Sequence, residues 1–275
     1  MAVRIEKIVS DALGLAHDGS KAVFVEGALP GELVEYSVRE ERNGYIAADC
    51  TAVIEPSPMR RAPVCPYYGR CGGCSFQIVG EKDSAELKEE IVKDNLRRIA
   101  GLKEMPPFDS PVYGSFSGYR HRARFHVDIR SKEWGFLARR SSSIIHAESC
   151  PMLTPRLSSL LADGKKIIEE GRASMFRGEI DRETGIAEVR AFDGDEEVTF
   201  SDKSVIMTVD GIRYYVAGDV FFQSNPSLLP PLFDFVRSNA VGTSIMDLYS
   251  GVGTFSALFE GSGKTVYAVE RDRRC

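Results

Sequence analysis

The chain has 275 residues, 43% of them hydrophobic and 27% charged, and a formal net charge of −5. That length allows two or three domains, and the composition is that of a globular protein, not of a disordered or collagen-like one. No apolar run approaches the roughly 18 residues of a membrane span, and the N-terminus carries an early acid and no apolar core of a secretory signal. Six cysteines in such a chain read as metal ligands in a reducing compartment, with the cytoplasm expected, rather than as disulfides.

Residues 1–58 read as a small β-barrel. Short β-rich runs (22–25, 33–38, 45–48) alternate with the turn clusters Gly27-Ala28-Leu29-Pro30-Gly31 and Arg42-Asn43-Gly44. Five or so such strands in under 60 residues resemble an oligonucleotide-binding (OB-like) barrel. Pro56-Ser57-Pro58 then fixes a stiff exit.

The next segment holds Cys65, Cys71 and Cys74, with Gly72-Gly73 between the last pair, and a distant Cys150 precedes Pro151. Three clustered thiols and a fourth followed by proline fit an iron–sulfur cluster better than zinc, whose sites usually show two matched knuckles. Cys65, Cys71, Cys74 and Cys150 are therefore the candidate metal ligands. Four ligands would close the cluster, which suits structure or sensing better than substrate activation.

From 83 to 100 the pattern turns helical, with Leu87, Ile91, Leu96 and Ile99 as the apolar stripe and Gly101 as the stop. Between 118 and 130 the period drops to two. Ala123, Phe125, Val127 and Ile129 fall on one strand face; Arg122, Arg124, His126 and Arg130 fall on the other. With Arg120, these are candidate RNA-binding residues, because guanidiniums spaced about 6–7 Å apart match a phosphate repeat. The stretch 119–140 carries seven positive residues against two acids, so the acidic total does not exclude a nucleic-acid partner. A solvated strand face is the alternative. A second strand at 134–137 leads back to Cys150. A helix is expected at 157–170, then hairpins turning at Glu183-Thr184-Gly185 and Val209-Asp210-Gly211-Ile212.

An apolar strand ending at Asp247 opens the loop Leu248-Tyr249-Ser250-Gly251-Val252-Gly253-Thr254, with a helix expected over 254–259 and a second strand, 266–269, ending at Glu270. Glycines allow close approach of a ligand, and a strand-end carboxylate can accept both ribose hydroxyls. Ser256 stands where a dinucleotide fingerprint needs its third glycine, and the acids suit a cationic sulfonium, so S-adenosyl-L-methionine is favoured over a dinucleotide. Gly263-Lys264-Thr265 is a helix-to-strand turn rather than a P-loop, because the first glycine of that motif would fall at Leu258.

Together these motifs resemble the RNA uracil-5-methyltransferase family, in its bacterial branch with a TRAM barrel and a [4Fe–4S] cluster. The resemblance rests on 24–32, on Cys65 to Gln77, on Tyr119-Arg120-His121-Arg122-Ala123-Arg124-Phe125 and on Phe221-Phe222-Gln223-Ser224-Asn225. It implies a multi-domain chain: a TRAM-like barrel (1–58), a central α+β domain with the cluster loop (59–220), and the start of a Rossmann-like α/β methyltransferase domain (221–275). It also implies a monomer that forms 5-methyluridine in RNA, 23S rRNA foremost and tRNA as an alternative. Gln223, Tyr249, Gly251, Gly253, Thr254 and Glu270 would contact the cofactor.

The family's catalytic cysteine and base have no counterpart here. Cys275 follows Glu270 too closely and Cys50 sits in the barrel, so neither is assigned, and the chain is expected to be part of a longer enzyme. A non-catalytic, cluster-bearing RNA-binding protein is the rival reading, and an electron-transfer module a third.

Overall fold

The computed structural model describes residues 1–128, 130–170, 186–200 and 203–275. Ile129 and the turn expected at 183–185 lie outside them. The chain divides into two compact units, Met1–Tyr113 and Gly114–Cys275. Among the described residues no helix is long and apolar enough to cross a membrane.

The first unit is built on six strands: β1 (Ala2–Arg4), β2 (Lys7–Val9), β3 (Leu13–Asp18), β4 (Lys21–Glu26), β5 (Leu33–Arg42) and β6 (Tyr45–Glu55). They form one sheet in the order β1-β5-β6-β4-β3-β2, with β4 parallel to β6 and the other pairs antiparallel. The three runs read from sequence are β4, β5 and β6. The short strands β1 and β2 lacked the length for a period to be seen. Val3, Ile5, Val23, Val25, Val34, Tyr36 and Ile46 make the core of this sheet. Gly27 and Gly31 have positive φ (81° and 84°), so the turn between β4 and β5 uses the freedom that only glycine has cheaply.

The expected boundary at 58 falls inside this unit. Ile8 and Leu29 pack with Ile78, Val79 and Leu87, so the sheet, the cysteine loop and α1 (Glu81–Arg98) share a second apolar cluster. The helix buries Leu87 but not the whole stripe. Ile99 is 81% exposed because it is the C-cap residue, past the last full turn. Gly101 ends the helix at φ 69°, and the Leu102 N–H reaches back to Leu96 O at 3.0 Å.

The second unit holds a five-stranded sheet in the order β11-β10-β7-β8-β9, formed by β7 (Arg122–Asp128), β8 (Glu133–Leu137), β9 (Ile144–Ile145), β10 (Ile186–Asp193) and β11 (Val198–Phe200). The helix α2 (Pro155–Glu169) buries Leu157, Leu161, Gly164 and Ile168. Against it sits Trp134 on β8, fully buried, donating from Nε1 to Leu161 O at 3.0 Å.

The hairpin β12 (Ser204–Val209) and β13 (Ile212–Ala217) turns at Asp210 and Gly211, both at positive φ, the pairing a tight two-residue hairpin demands. Its apolar face joins Phe192, Phe222, Phe233 on α3 (Leu229–Asn239), and Leu258 and Phe259 in one core. The parallel pair β14 (Ser244–Leu248) and β15 (Thr265–Val269) flanks the glycine loop. The expected helix over 254–259 is a single 3₁₀ turn, Ser256–Phe259. Positive φ at Gly251 and Gly253 delays its start and Gly261, also at positive φ, follows its end, leaving too few residues for α-helical turns.

Candidate cofactor loop and basic strand

The glycine loop is held by its own backbone and by two acids. The Ser250 N–H donates to Val269 O at 3.1 Å, tying the loop to the end of β15. Glu270 accepts from the Gly251 N–H at 2.8 Å through one oxygen and from the Arg271 and Asp272 N–H groups through the other. The Asp272 and Gly251 N–H groups, in that order, hold its carboxyl below the usual carboxylate range, so it is ionised at neutral pH. Asp247 is spent differently: its Oδ2 accepts from both the backbone N–H (3.1 Å) and the hydroxyl (2.6 Å) of Ser256. It therefore anchors the short 3₁₀ turn.

Tyr249 adopts φ 60° and is 90% exposed at the loop crest. A Cβ added at Gly251 or Gly253 would meet nothing within 4 Å, so both glycines border open space from which a ligand can approach backbone. Thr254 is buried, and its carbonyl accepts the Tyr214 hydroxyl at 3.1 Å. Burial pushes that phenol up to about 12, so it remains a donor. Tyr214 supports the loop from below, a role invisible without the fold. The donor and acceptor set thus fits an adenosine-type ligand: an ionised strand-end carboxylate, exposed backbone and an exposed aromatic ring.

Gln223 lies half-buried in the segment that follows β13. That segment is fastened to the start of the basic strand: the His121 N–H donates to Ser224 O at 3.0 Å, and Arg122 Nη1 donates to Phe222 O at 3.4 Å. Arg122 also lies 5.7 Å from the ring centroid of Phe221, which is 67% exposed.

The period-two reading of the basic strand matches the burial of β7: Ala123, Phe125 and Val127 are buried and Arg124 is exposed. The strand is shorter than expected, however. Arg120 precedes it, its backbone paired with Met152 and Thr154, and Arg130 follows it in a turn whose N–H donates to Asp128. The face of β7 therefore runs Arg122, Arg124, His126 and Asp128.

The neighbouring strand β10 places Glu188 opposite His126 and Arg190 opposite Arg124. Glu188 gives this face a counter-charge from the neighbouring strand: it lies 3.3 Å from Arg124, 2.6 Å from Arg190 and 4.0 Å from His126. Burial lowers the His126 pKa, Glu188 pulls it back and Arg124 pushes it down again, with a net fall. The alternation Ala187, Val189, Ala191 inward and Glu188, Arg190 outward marks β10 as a strand with both charged residues on its outer face, but it does not tell which strand lies beside it.

Cys65, Cys71, Cys74 and Cys150 are half-buried, the first three in the first unit and the fourth in the second. Among the described residues no group of three or more His, Cys, Asp and Glu is placed to hold a metal ion. The cysteine loop is nevertheless ordered by its own bonds. The Cys65 N–H donates to the buried Gln77 side chain at 3.1 Å, and the Tyr68 hydroxyl donates to Ser75 O at 2.8 Å. Cys150 begins a segment that runs beside 118–120, with the Gly118 N–H on Pro151 O and the Arg120 N–H on Met152 O.

No protein-family model matches the chain. The 23S rRNA (uracil(1939)-C(5))-methyltransferase RlmD of Halomonas elongata is 32% identical over 328 residues, covering 94% of this chain and 64% of that protein. The protein of the same name from Nitrosospira multiformis is 36% identical over 172 residues, 61% of this chain and 39% of the relative. The chain thus spans less than two thirds of the length of these curated relatives. Among solved structures, the Pyrococcus abyssi tRNA (uracil-54, C5)-methyltransferase in complex with S-adenosyl-L-homocysteine superposes with a TM-score of 0.69 at 20% identity, over 98% of this chain and 73% of that one. That likeness is one of fold.

Proposed function

We propose that this chain, a homologue of the RNA uracil-C5 methyltransferases, binds S-adenosyl-L-methionine and RNA and serves the formation of 5-methyluridine. Sequence similarity to enzymes named for 23S rRNA supports ribosomal RNA as the substrate. Residues 221–275 would carry the cofactor and the preceding strands the RNA. No residue of this chain is assigned as nucleophile or base.

The observation that carries the cofactor reading is Glu270: ionised, at the end of β15, and bonded across the loop to the Gly251 N–H. A carboxylate there can accept ribose hydroxyls. Tyr249, Gly251, Gly253 and Thr254 would frame the remainder of the ligand, and Gln223 would reach it from the preceding segment. When bound, the cofactor supplies an activated methyl group on a sulfonium. On the RNA side, Arg122, Arg124 and His126 would meet phosphates from β7, with Arg120 and Arg130 at its two ends.

A calorimetric titration with S-adenosyl-L-methionine tests this. Saturable binding is expected, weakened about tenfold or more in Glu270→Gln, the loss typical of a charge-assisted hydrogen bond. A chain that takes up no S-adenosyl-L-methionine, or binds NAD in its place, would overturn the assignment.

Cys65, Cys71, Cys74 and Cys150 are the thiols we assign to a [4Fe–4S] cluster. Donor chemistry supports it: four thiols, three of them on a loop with two adjacent glycines and a backbone pinned by Gln77. A closed cluster would stabilise the loop and would take no part in methyl transfer.

A further inference from the structure

We propose that Glu188 is a built-in counter-ion that occupies an arginine cluster until an RNA phosphate replaces it, and that Arg190 is the third guanidinium of that phosphate site. The inference rests on the RNA-binding reading and adds to it a residue pair on β10 and a mode of release.

One carboxylate serves two guanidiniums here. Glu188 Oε1 pairs with Arg190 Nε at 2.6 Å and Oε2 with Arg124 Nε at 3.3 Å. Each guanidinium has five N–H donors in a fixed fork; Glu188 engages one nitrogen of each, and Arg190 Nη1 also donates to Asp219 O at 3.5 Å. The side chains of Arg124 and Arg190 are 61% and 43% exposed. Ion pairs at such exposure are weak and salt-screened, so a phosphate with more charge and more acceptor oxygens can displace the carboxylate without unfolding anything.

Arg122 completes the cluster from beside Phe221. Burial, then the charges of Arg190 and Arg124, lower its pKa against the opposing pull of Asp219. The exposed Phe221 ring next to Arg122 offers a face on which an unpaired base can stack. Guanidiniums beside an open aromatic ring fit single-stranded RNA rather than an acidic peptide.

While no RNA is bound, Glu188 offsets part of the positive charge of Arg124 and Arg190. It also charges every RNA that binds the energy of its own displacement, which disfavours loosely held sequences.

Fluorescence anisotropy with a labelled single-stranded oligoribonucleotide, across a salt series, decides the matter. Glu188→Gln is expected to bind about threefold more tightly at low salt, while Glu188→Asp, which keeps the charge, stays near the wild type. Arg190→Gln should weaken binding and flatten the salt slope by about 0.7, the loss of one phosphate contact on a single strand. Far-UV circular dichroism confirms that each variant is folded; if Glu188→Gln is not, the Arg190→Gln slope carries the test. Wild-type binding with no tightening in Glu188→Gln, or with an unchanged slope in Arg190→Gln, overturns this inference alone. Absence of binding by the wild type overturns it together with the RNA-binding reading.

Discussion

Glu32 has no exposed surface, yet it is an acid in a small sheet domain. Its survival there follows from its partners. Its Oε2 accepts the Leu29 N–H at 2.8 Å and its Oε1 the Ser57 N–H at 3.1 Å, while Arg60 pairs with it through Nε and Nη2 and donates to Gly27 O as well. The β4–β5 turn is thereby clamped to the exit peptide after β6. Burial would raise the Glu32 carboxyl, but Arg60 and the two N–H groups outweigh it, so its pKa falls below the ordinary value. A depressed carboxylate contributes stability that is complete above the unfolded-state pKa of about 4.3 and is lost as pH falls through the folded one. Glu32→Gln should cost about 3 kcal/mol at neutral pH, the scale of breaking one partner from a buried pair. The measurement is urea unfolding at several pH values, where the gap between variant and wild type must narrow below pH ~4. A gap that stays constant down to acid pH would remove the carboxylate from this role. The glutamate entered the sequence reading only as the last residue of the 24–32 stretch that carries the family resemblance; its charge partner, 28 residues on, was not legible.

Elements whose period is set by a single buried face were the ones that could be read in advance. The helices α1 and α2 end within about two residues of their expected bounds, and β7 keeps the expected alternation although it is shorter, because apolar spacing reports burial directly. Pairing between strands was not legible. Glu188 meets Arg124 only because β10 lies beside β7 in the sheet, and nothing in either strand's own pattern names its neighbour. Gly164 shows the same limit on α2. It reads as a helix-weakening glycine, yet a Cβ there would lie 2.0 Å from Trp134 Nε1, so the indole needs that gap to reach Leu161 O. Gly164→Ala should gain helix propensity and still lose about 1–3 kcal/mol through overpacking. Trp134 is the only tryptophan, which makes the readout specific: its emission should shift to the red as the ring is displaced. Unchanged emission with raised stability would mean the helix and the indole do not meet in this way.

For the whole molecule, the net charge of −5 conceals a division of labour: acids hold the glycine loop, and arginines line the sheet of the second unit. Global charge therefore excluded less than its distribution revealed. The cysteines pose the corresponding question for metal, because their spacing reads clearly in sequence while thiol side chains by themselves have no force that draws them together. A thiolate cluster supplies that force through metal–ligand bonds, and its binding free energy becomes folding free energy for the segments that carry the ligands. Protein prepared without oxygen should accordingly contain iron and acid-labile sulfide in equal amounts, with broad visible absorption, and Cys71→Ser should lose both. Removing iron with a chelator should lower the thermal midpoint and expose the cysteine loop, Cys65 to Cys74, to proteolysis. The S-adenosyl-L-methionine affinity should change little, since the glycine loop proposed to seat it is held by Tyr214, Asp247 and Glu270 rather than by any thiol. Zinc in place of iron, with no sulfide, would keep the ligand set and overturn the cluster. Colourless, metal-free protein whose four thiols all alkylate at once in the folded state would overturn both.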